Sequence, residues 1–343
     1  MALTAATVLA QRKVRIQIDQ TVDAATRDLV QAWGRAWDEI ADEWSAAITE
    51  LLAAGDGSWP SRGAIRRVKR AGRALEMTAA KLDELSKLAG VRILRDVPSL
   101  MGLAEEWERK LAVSQLDPGL AVDWNRIDPK AADGIVKRTT GQVEAVTKLL
   151  PFDQQAVMKQ LLIRGVIVGD NPKTVAAQML RRLGGAFDGG RWRAENIART
   201  EMLDAYRRSA LESRQANADV LKGWMWSSDK SARTCPACLA MDGQTFPTGT
   251  PGPNGHQSCR CTAIPVTRTW AELGIDAPEP VSVYQTGRDW FDQQPKDVQV
   301  EILGPARYRE WAAGRLTWDQ MIRTRQTDGW RDSVAVAPLR PAA

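Results

Sequence analysis

All four cysteines and the single histidine of this 343-residue chain fall within 27 consecutive positions, as Cys235-Pro-Ala-Cys238 followed by His256-Gln-Ser-Cys259-Arg-Cys261. Whatever forms here must bring two half-sites, separated by a 17-residue insert, to one point. Thiolate and neutral imidazole are ligands that zinc prefers, and a C-x-x-C pair on a tight turn can clamp one tetrahedral ion. The insert carries Asp242-Gly243 and the Pro- and Gly-rich run from Pro247 to Gly255, which predicts a loop returning the chain to the metal. Five candidate ligands compete for four positions. The expected set is Cys235, Cys238, His256 and one of Cys259 or Cys261, the other being spare, because C-x-C on an extended segment points its side chains to opposite faces. Four protein ligands close the site, so the predicted zinc is structural and activates no water.

Other uses of the same residues fit less well. Two disulfides are an alternative with three connectivities, but Met1 to Arg15 lacks the charged start and long apolar stretch of a secretory leader, so a reduced, cytosolic history is expected. A redox C-x-x-C calls for a strand-to-helix unit of a βαβ fold, which the flanks do not suggest. Zinc deaminases place H-x-E before P-C-x-x-C, whereas here the histidine follows and no H-x-E exists. One histidine also excludes H-E-x-x-H chemistry. The chain is expected not to be an enzyme.

The length allows two or three domains, and the 44% hydrophobic and 26% charged composition is that of an ordinary folded protein. The longest apolar patch, near Leu161 to Val168, is broken by Arg164 and Gly165, so no membrane span is expected. A net charge of +5 is compatible with nucleic acid nearby without requiring it. Tryptophan is unusually common, 14 against 3 Tyr and 4 Phe, and its scatter without a period marks core and interface anchors.

From about Thr21 to Ala54, Leu29, Trp33, Trp37, Ile40, Trp44, Ile48 and Leu51 advance by threes and fours, predicting a long amphipathic helix. After a break at Gly55-Asp-Gly-Ser-Trp-Pro60, Ile65, Val68, Leu75, Leu82 and Leu85 mark a second helix ending near Gly90, antiparallel to the first. Arg62, Arg66, Arg67, Lys69, Arg70 and Arg73 at its start form a basic cluster that either meets DNA phosphates or a partner's acidic surface, or is a solvated helix face. A third helix is expected over Ser99 to Ser114, then a less periodic link toward Pro129. The pattern is helical again from Val136 to Leu183. Asn171-Pro172 reads as an N-cap and first helical residue, and Gly184-Gly185 as the end of that helix, followed by a flexible stretch to Gly190. A new helix is expected from Arg191 to about Ala216. Leu221 to Ser228 reads as a strand leading into the metal site, with Gln244 to Phe246 and Cys261 to Val266 as its partners. Beyond Pro278, short helices and loops are expected, with a loose end from Ala335 to Ala343.

The combination of Arg199-Thr200-Glu201, a Trp-rich strand, Asp229, Arg233-Thr-Cys-Pro-Ala-Cys238, Asp242-Gly243, His256 and Cys259-Arg-Cys261, in that order, resembles the head morphogenesis domain of tailed bacteriophages, the family of the phage Mu F protein and related minor head proteins. The resemblance covers about Pro172 to Val266. A fainter similarity continues through Trp290-Phe291, Gln299, Ile302-Leu-Gly304 and Trp311 to Gly314. Relatives commonly carry Pro directly after the histidine, where this chain has Gln257. The resemblance implies a minor capsid protein at low copy inside the procapsid and virion, associated with the portal vertex, with portal, scaffold or major capsid protein as partners and the host cytoplasm as the place of assembly. Some relatives carry a C-terminal toxin, for which the 77 residues after Val266 leave no room.

The expected architecture is a mainly α N-terminal region with a long helical hairpin, a small α+β zinc-stapled module and a short α-rich tail. The expected division is residues 1–116 as a helical docking region, 117–190 as a helical linker, 191–266 as the zinc-containing head morphogenesis module and 267–343 as a tail with a loose end. The leading functional expectation is procapsid assembly with a structural Zn2+. The alternatives are a virion-internal DNA-binding protein ejected with the genome and, last, a nuclease or transferase built on an Arg199–Glu201 charge pair.

Overall fold

The apolar stripe of the first expected helix begins earlier than hydropathy suggests. In the computed structural model, which describes residues 2–54, 60–164, 172–327 and 330–339 (the side chains of Arg62, Arg164, Pro172, Lys173, Thr327 and Trp330 excepted), α1 runs Ala5–Ala53. Its first turns escape a hydropathy reading because their buried positions include Thr7, Gln11 and Arg15 beside Val14 and Ile18. After the short α2 (Arg62–Arg67), the second and third expected helices prove to be one, α3 (Lys69–Val113). Leu82, Leu85, Ala89, Ile93, Val97, Leu100, Ala104, Trp107 and Leu111 are all buried and keep the three-four rhythm straight through Gly90 and Pro98. Tertiary burial of that stripe outweighs the weak local propensity of Gly and Pro. Then follow α4 (Pro129–Thr147), α5 (Leu150–Arg164) and α6 (Pro172–Ala216). The sequence breaks read at Gly55 to Trp59, at Asn171 and over Gly165 to Val168 lie outside the described residues.

Among the described residues the chain is mainly helical, about 65% helix with few strands, and it groups into two compact units whose segments interleave along the sequence. The helical unit holds residues 22–96 and 138–201. Within it α1 and α3 run antiparallel, as expected: Arg92 Nε meets Asp28 Oδ2 at 2.6 Å, Lys81 pairs with Glu39, and Trp44 Nε1 donates to Thr78 Oγ1 at 2.9 Å. The expected end of a helix at Gly184-Gly185 and flexible stretch to Gly190 are instead continuous helix within α6. The glycines give room to indoles. A Cβ at Gly184 would stand 3.0 Å from the Trp37 ring, and one at Gly190 would stand 3.0 Å from Gln154 and 3.3 Å from Trp33 Nε1. What reads locally as a breaker is a close-approach surface.

The second unit holds residues 1–21, 97–137 and 202–343. Its centre is an antiparallel sheet of order β2-β1-β3, with β1 Leu221–Ser227, β2 Thr245–Pro247 and β3 Thr262–Thr267, the three strands expected from sequence. One face presents Met225, Ile264 and Val266 to Leu3, and the other packs Trp224, Trp226 and Ala263 with the cysteines. Trp224 stacks on Phe246 at 4.5 Å. A six-residue helix, α7 (Pro236–Met241), follows β1. Beyond the sheet, α8 (Gly287–Asp292) and α9 (Lys296–Ala312) enclose Phe291, which meets Trp311 and Trp318 edge-on at 5.2 and 4.9 Å. The tail is not helical and loose to its end: β4 (Ile322–Thr327) and β5 (Trp330–Val336) form an antiparallel hairpin, so Ala335 and Val336 are ordered strand, while residues 340–343 lie outside the described set. Ile322 and Val334 of this hairpin pack against the cysteine core.

Candidate metal centre

Cys-Pro-Ala-Cys is a helix start. Cys235 is the N-cap of α7, its Sγ accepting from Cys238 N at 3.4 Å, and Pro236 occupies the first turn, where its fixed φ suits the helix and its missing N–H costs nothing. Cys238 is carried into the core one turn later. The returning half-site is irregular. Cys259 N donates to His256 O at 3.0 Å, and Ser258 between them adopts φ 58°, a left-handed conformation that bends the chain back toward α7. Cys259 passes directly over backbone: a Cβ at Gly255 would meet its Sγ at 2.2 Å, so only glycine fits there.

The ligand atoms of Cys235, Cys238 and His256 lie within 4.8 Å of one another, as do those of Cys238, Cys259 and Cys261. Cys238 belongs to both triads. The expectation that C-x-C would separate its side chains is corrected: the segment follows the turn at His256 to Ser258 without joining a strand, and both sulfurs converge on Cys238. Zinc–sulfur bonds of about 2.3 Å in a tetrahedron place sulfurs about 3.8 Å apart, and the Cys238–Cys259 separation is 3.7 Å. Donor chemistry, burial and spacing therefore suit a soft or borderline metal ion.

The same groups are already polarised. The hydrogen bond shared with Cys238, assisted by His256, lowers the Cys235 thiol to about 5 against the effect of burial. Hydrogen bonding to Cys235 raises His256 to about 9. Cys259 is held well below the ordinary thiol range by hydrogen bonds with Cys238 and Cys261, with the Arg207 charge adding to them. Cys238, which shares protons with Cys235 and Cys259, is pushed up. Thiolate and neutral imidazole are the metal-binding forms, so Cys235 and Cys259 are poised for ligation, whereas Cys238, Cys261 and His256 would each release a proton on binding an ion.

Two buried arginines fix the C-x-C segment from behind. Arg207 of α6 donates Nη2 to Cys259 O at 2.5 Å and to Cys261 O at 2.8 Å, and Arg15 of α1 donates to Arg260 O at 3.3 Å, Ser227 O at 3.2 Å and Ser227 Oγ at 3.1 Å. Gln11 Nε2 reaches Thr262 Oγ1 at 2.5 Å, and Arg260 pairs with Asp19 at 2.9 Å. Apart from Arg260, which belongs to the Cys-Arg-Cys motif, none of these residues is singled out by the sequence. The partners of Gln11, Arg15 and Arg207 are backbone carbonyls and hydroxyls about 50 to 250 positions away, and no local motif marks such a pairing.

Asp242 caps the end of α7 and is buried: its Oδ2 accepts from Ser228 N at 2.6 Å and Ser228 Oγ at 2.8 Å, and its Oδ1 from Tyr284 OH at 3.0 Å. It therefore ties β1, α7 and the strap before α8 together. Asp229 is half exposed and stands 4.0 Å from Arg15 Nε. Arg199, Thr200 and Glu201 lie on α6: Arg199 pairs one turn back with Glu195 at 3.4 Å, Thr200 Oγ1 donates to Asn196 O at 2.7 Å, and Glu201 is buried. Of the basic cluster, Arg70 and Arg73 both face Glu43, at 3.1 and 3.7 Å, while Arg66, Arg67 and Lys69 are exposed and the Arg62 side chain lies outside the described residues.

Residues 156–264 match the family model described as Phage Mu protein F like protein. The match contains the five ligand candidates, Arg199 to Glu201, Asp229 and Asp242, and it also contains Arg207. No curated protein and no solved structure matches the chain.

Proposed function

We propose that this chain, whose residues 156–264 belong to the phage Mu protein F like family, is a minor head protein of a tailed phage, acting in procapsid assembly at the portal vertex. The family match carries this reading, since the matched region includes the whole cysteine–histidine cluster. Partners would be the portal, scaffold or major capsid protein, engaged through exposed faces of the long helices. No described helix is long and apolar enough to cross a membrane. In this reading the protein works in the host cytoplasm during assembly and then inside the head, and it is not an enzyme.

The metal is zinc in this proposal, held by four of Cys235, Cys238, His256, Cys259 and Cys261, and it supplies a covalent-like cross-link between α7 and the returning loop. With protein filling every position, no water is activated. Arg207 and Arg15 keep the carbonyls of the C-x-C segment satisfied, so that its sulfurs face inward. The assembly role is tested by quantitative mass spectrometry of purified procapsids and mature particles. A few copies per particle are expected, and absence from both would overturn the reading. A second role, contact with packaged DNA, is favoured by the exposure of Arg66, Arg67 and Lys69. It predicts binding that weakens steeply with salt and is lost in the triple alanine variant.

A further inference from the structure

A cavity of about 560 Å³ in the second unit, with no cysteine in its lining, lies between the first turns of α1 and the segment that leaves β1. Arg12 and Arg15 line it from α1, Lys230 from beyond β1, and Ile16, Val283 and Trp290 give it an apolar wall. Three cations meet one lining carboxylate, Asp229, which is half exposed. Arg12 is exposed, and among the described residues no ion pair is formed by it. Lys230 is held for the cavity by its backbone, which adopts φ 51°, an uncommon conformation for a side chain of that kind. Its ammonium donates to Tyr284 OH at 2.9 Å and stands 3.5 Å from Asp242 Oδ1. Asp242 is already engaged by Ser228 and Tyr284, so it compensates the lysine only partly. Burial accordingly pulls Lys230 below the usual lysine range. A strained, half-compensated lysine beside two arginines is a costly arrangement for packing alone, and an anion that accepts from Lys230 and Arg12, within the field of Arg15, would relieve it.

We propose that this cavity is a phosphate-binding site, with Arg12 and Lys230 contacting the phosphate, Arg15 adding its charge from the cavity wall where Ser227 and Arg260 hold it, and the Ile16, Val283 and Trp290 wall accommodating the organic group of a nucleotide. The volume suits a ligand of that size. Phosphate of this kind occurs on a free nucleotide or at the end of a nucleic-acid strand, and the chemistry recognised is the same. The site does not depend on the head-protein reading or on the identity of the metal.

The test is calorimetric titration of the full chain at low salt with inorganic phosphate, dAMP, and a single-stranded dodecamer with or without a 5′-phosphate. Saturable binding of one dAMP per chain is expected, weakened about tenfold or more by Arg12→Gln and by Lys230→Gln, as loss of a charge-assisted hydrogen bond requires. Arg12 is exposed, so its variant should keep the wild-type melting curve even if Lys230→Gln folds poorly. Preference for the 5′-phosphorylated strand over dAMP would identify a strand end as the source of the phosphate, and equal or better binding of dAMP a free nucleotide. No binding of any probe at millimolar concentration, or an Arg12→Gln affinity within twofold of wild type, would overturn the proposal.

Discussion

The two units bury different things. In the helical unit, the interior of α1 is Leu29, Trp33, Ile40, Trp44 and Ile48, and the buried charges Arg92 and Glu195 are matched by other side chains, Asp28 and Asp96 for the first and Arg191 for the second. In the second unit α1, α3 and α6 supply Gln11, Arg15, Glu108, Arg207 and Arg214 to the interior, alongside Cys238, Cys259 and Cys261. The reason is the chain they face. Helices facing helices meet surfaces whose backbone is already satisfied, so apolar side chains and pairs of side-chain charges suffice. Helices facing the irregular segment 248–261 meet carbonyls with no strand or helix partner, and a guanidinium with five donors can satisfy several at once. One unit is therefore held by area and the other by directed bonds and, in the proposed state, a metal.

The strongest way to break that contrast is to remove the metal. Chelation, or Cys238→Ser at the shared ligand, should abolish amide protection across 221–267 while leaving the α1–α3 pair at 28–48 and 78–93 protected. Structural zinc is worth of order 10 kcal/mol in small modules, which is more than such a core supplies alone. Hydrogen exchange before and after chelation reads this directly. Uniform protection in both conditions would mean that the directed bonds hold the loop without a metal, and the zinc assignment would be wrong. Cys259→Ser and Cys261→Ser, made separately and assayed for bound zinc, identify the spare: the variant that keeps one zinc per chain marks it.

Next in size is Arg207→Met, which keeps the stem but strands the carbonyls of Cys259 and Cys261. A loss of about 3 kcal/mol in denaturant unfolding is expected, from two charge-assisted bonds and the desolvated acceptors left behind. Arg207→Lys should rescue only part of it, since one ammonium cannot reproduce the fork. A loss below about 0.5 kcal/mol, the usual range for surface substitutions, would show that the loop is held by its sulfurs alone.

The buried Glu108–Arg214 pair, 2.8 Å apart, makes the stability of the second unit depend on pH. Burial, opposed by Arg214, lifts Glu108 from 4.5 to about 7. A carboxyl whose folded pKa is raised contributes stability that is fully present below its unfolded value and is lost as pH climbs through the folded one. In metal-loaded protein, stability should therefore fall by a few kcal/mol at most between about pH 4.5 and 7, because a tenfold change in proton affinity is worth about 1.4 kcal/mol. Melting at pH 5 and pH 7.5 should differ in this sense for the wild type and much less for Glu108→Gln. An unchanged pH difference in the variant would assign the effect elsewhere.

These contrasts also explain what the sequence disclosed. The cysteine–histidine cluster, β1 to β3 and the α1–α3 stripe were legible because each is a local pattern: ligand spacing, strand composition, three-four periodicity. Gln11, Arg15 and Arg207 were not, since a polar residue on a helix reads as surface until the loop carbonyl it serves is known. The final hairpin was missed although Asp328-Gly329 separates its strands, a two-residue turn signal in a stretch otherwise too polar to read as buried strand. Both α3 and α6 were cut short at glycine and proline because propensity is local and burial is not.

The glycines of α6 offer the smallest test, and the one that separates propensity from packing within a single helix. Gly185 is exposed, and a Cβ there would meet nothing within 4 Å, whereas one at Gly184 would stand 3.0 Å from Trp37. If α6 is held as helix by its packing on α1, Gly185→Ala should add up to about 1 kcal/mol, the ordinary gain of Ala over Gly in a helix. Gly184→Ala gains the same propensity but must displace an indole that also meets Phe187 at 5.5 Å, and overpacking of this kind costs about 1 to 3 kcal/mol. Opposite signs at adjacent positions, read in one set of unfolding curves, are the expected result. Two stabilising substitutions would mean that Trp37 yields freely and that the glycines are not there for the indole. Two destabilising ones would mean that this stretch needs a backbone freedom that a continuous helix does not.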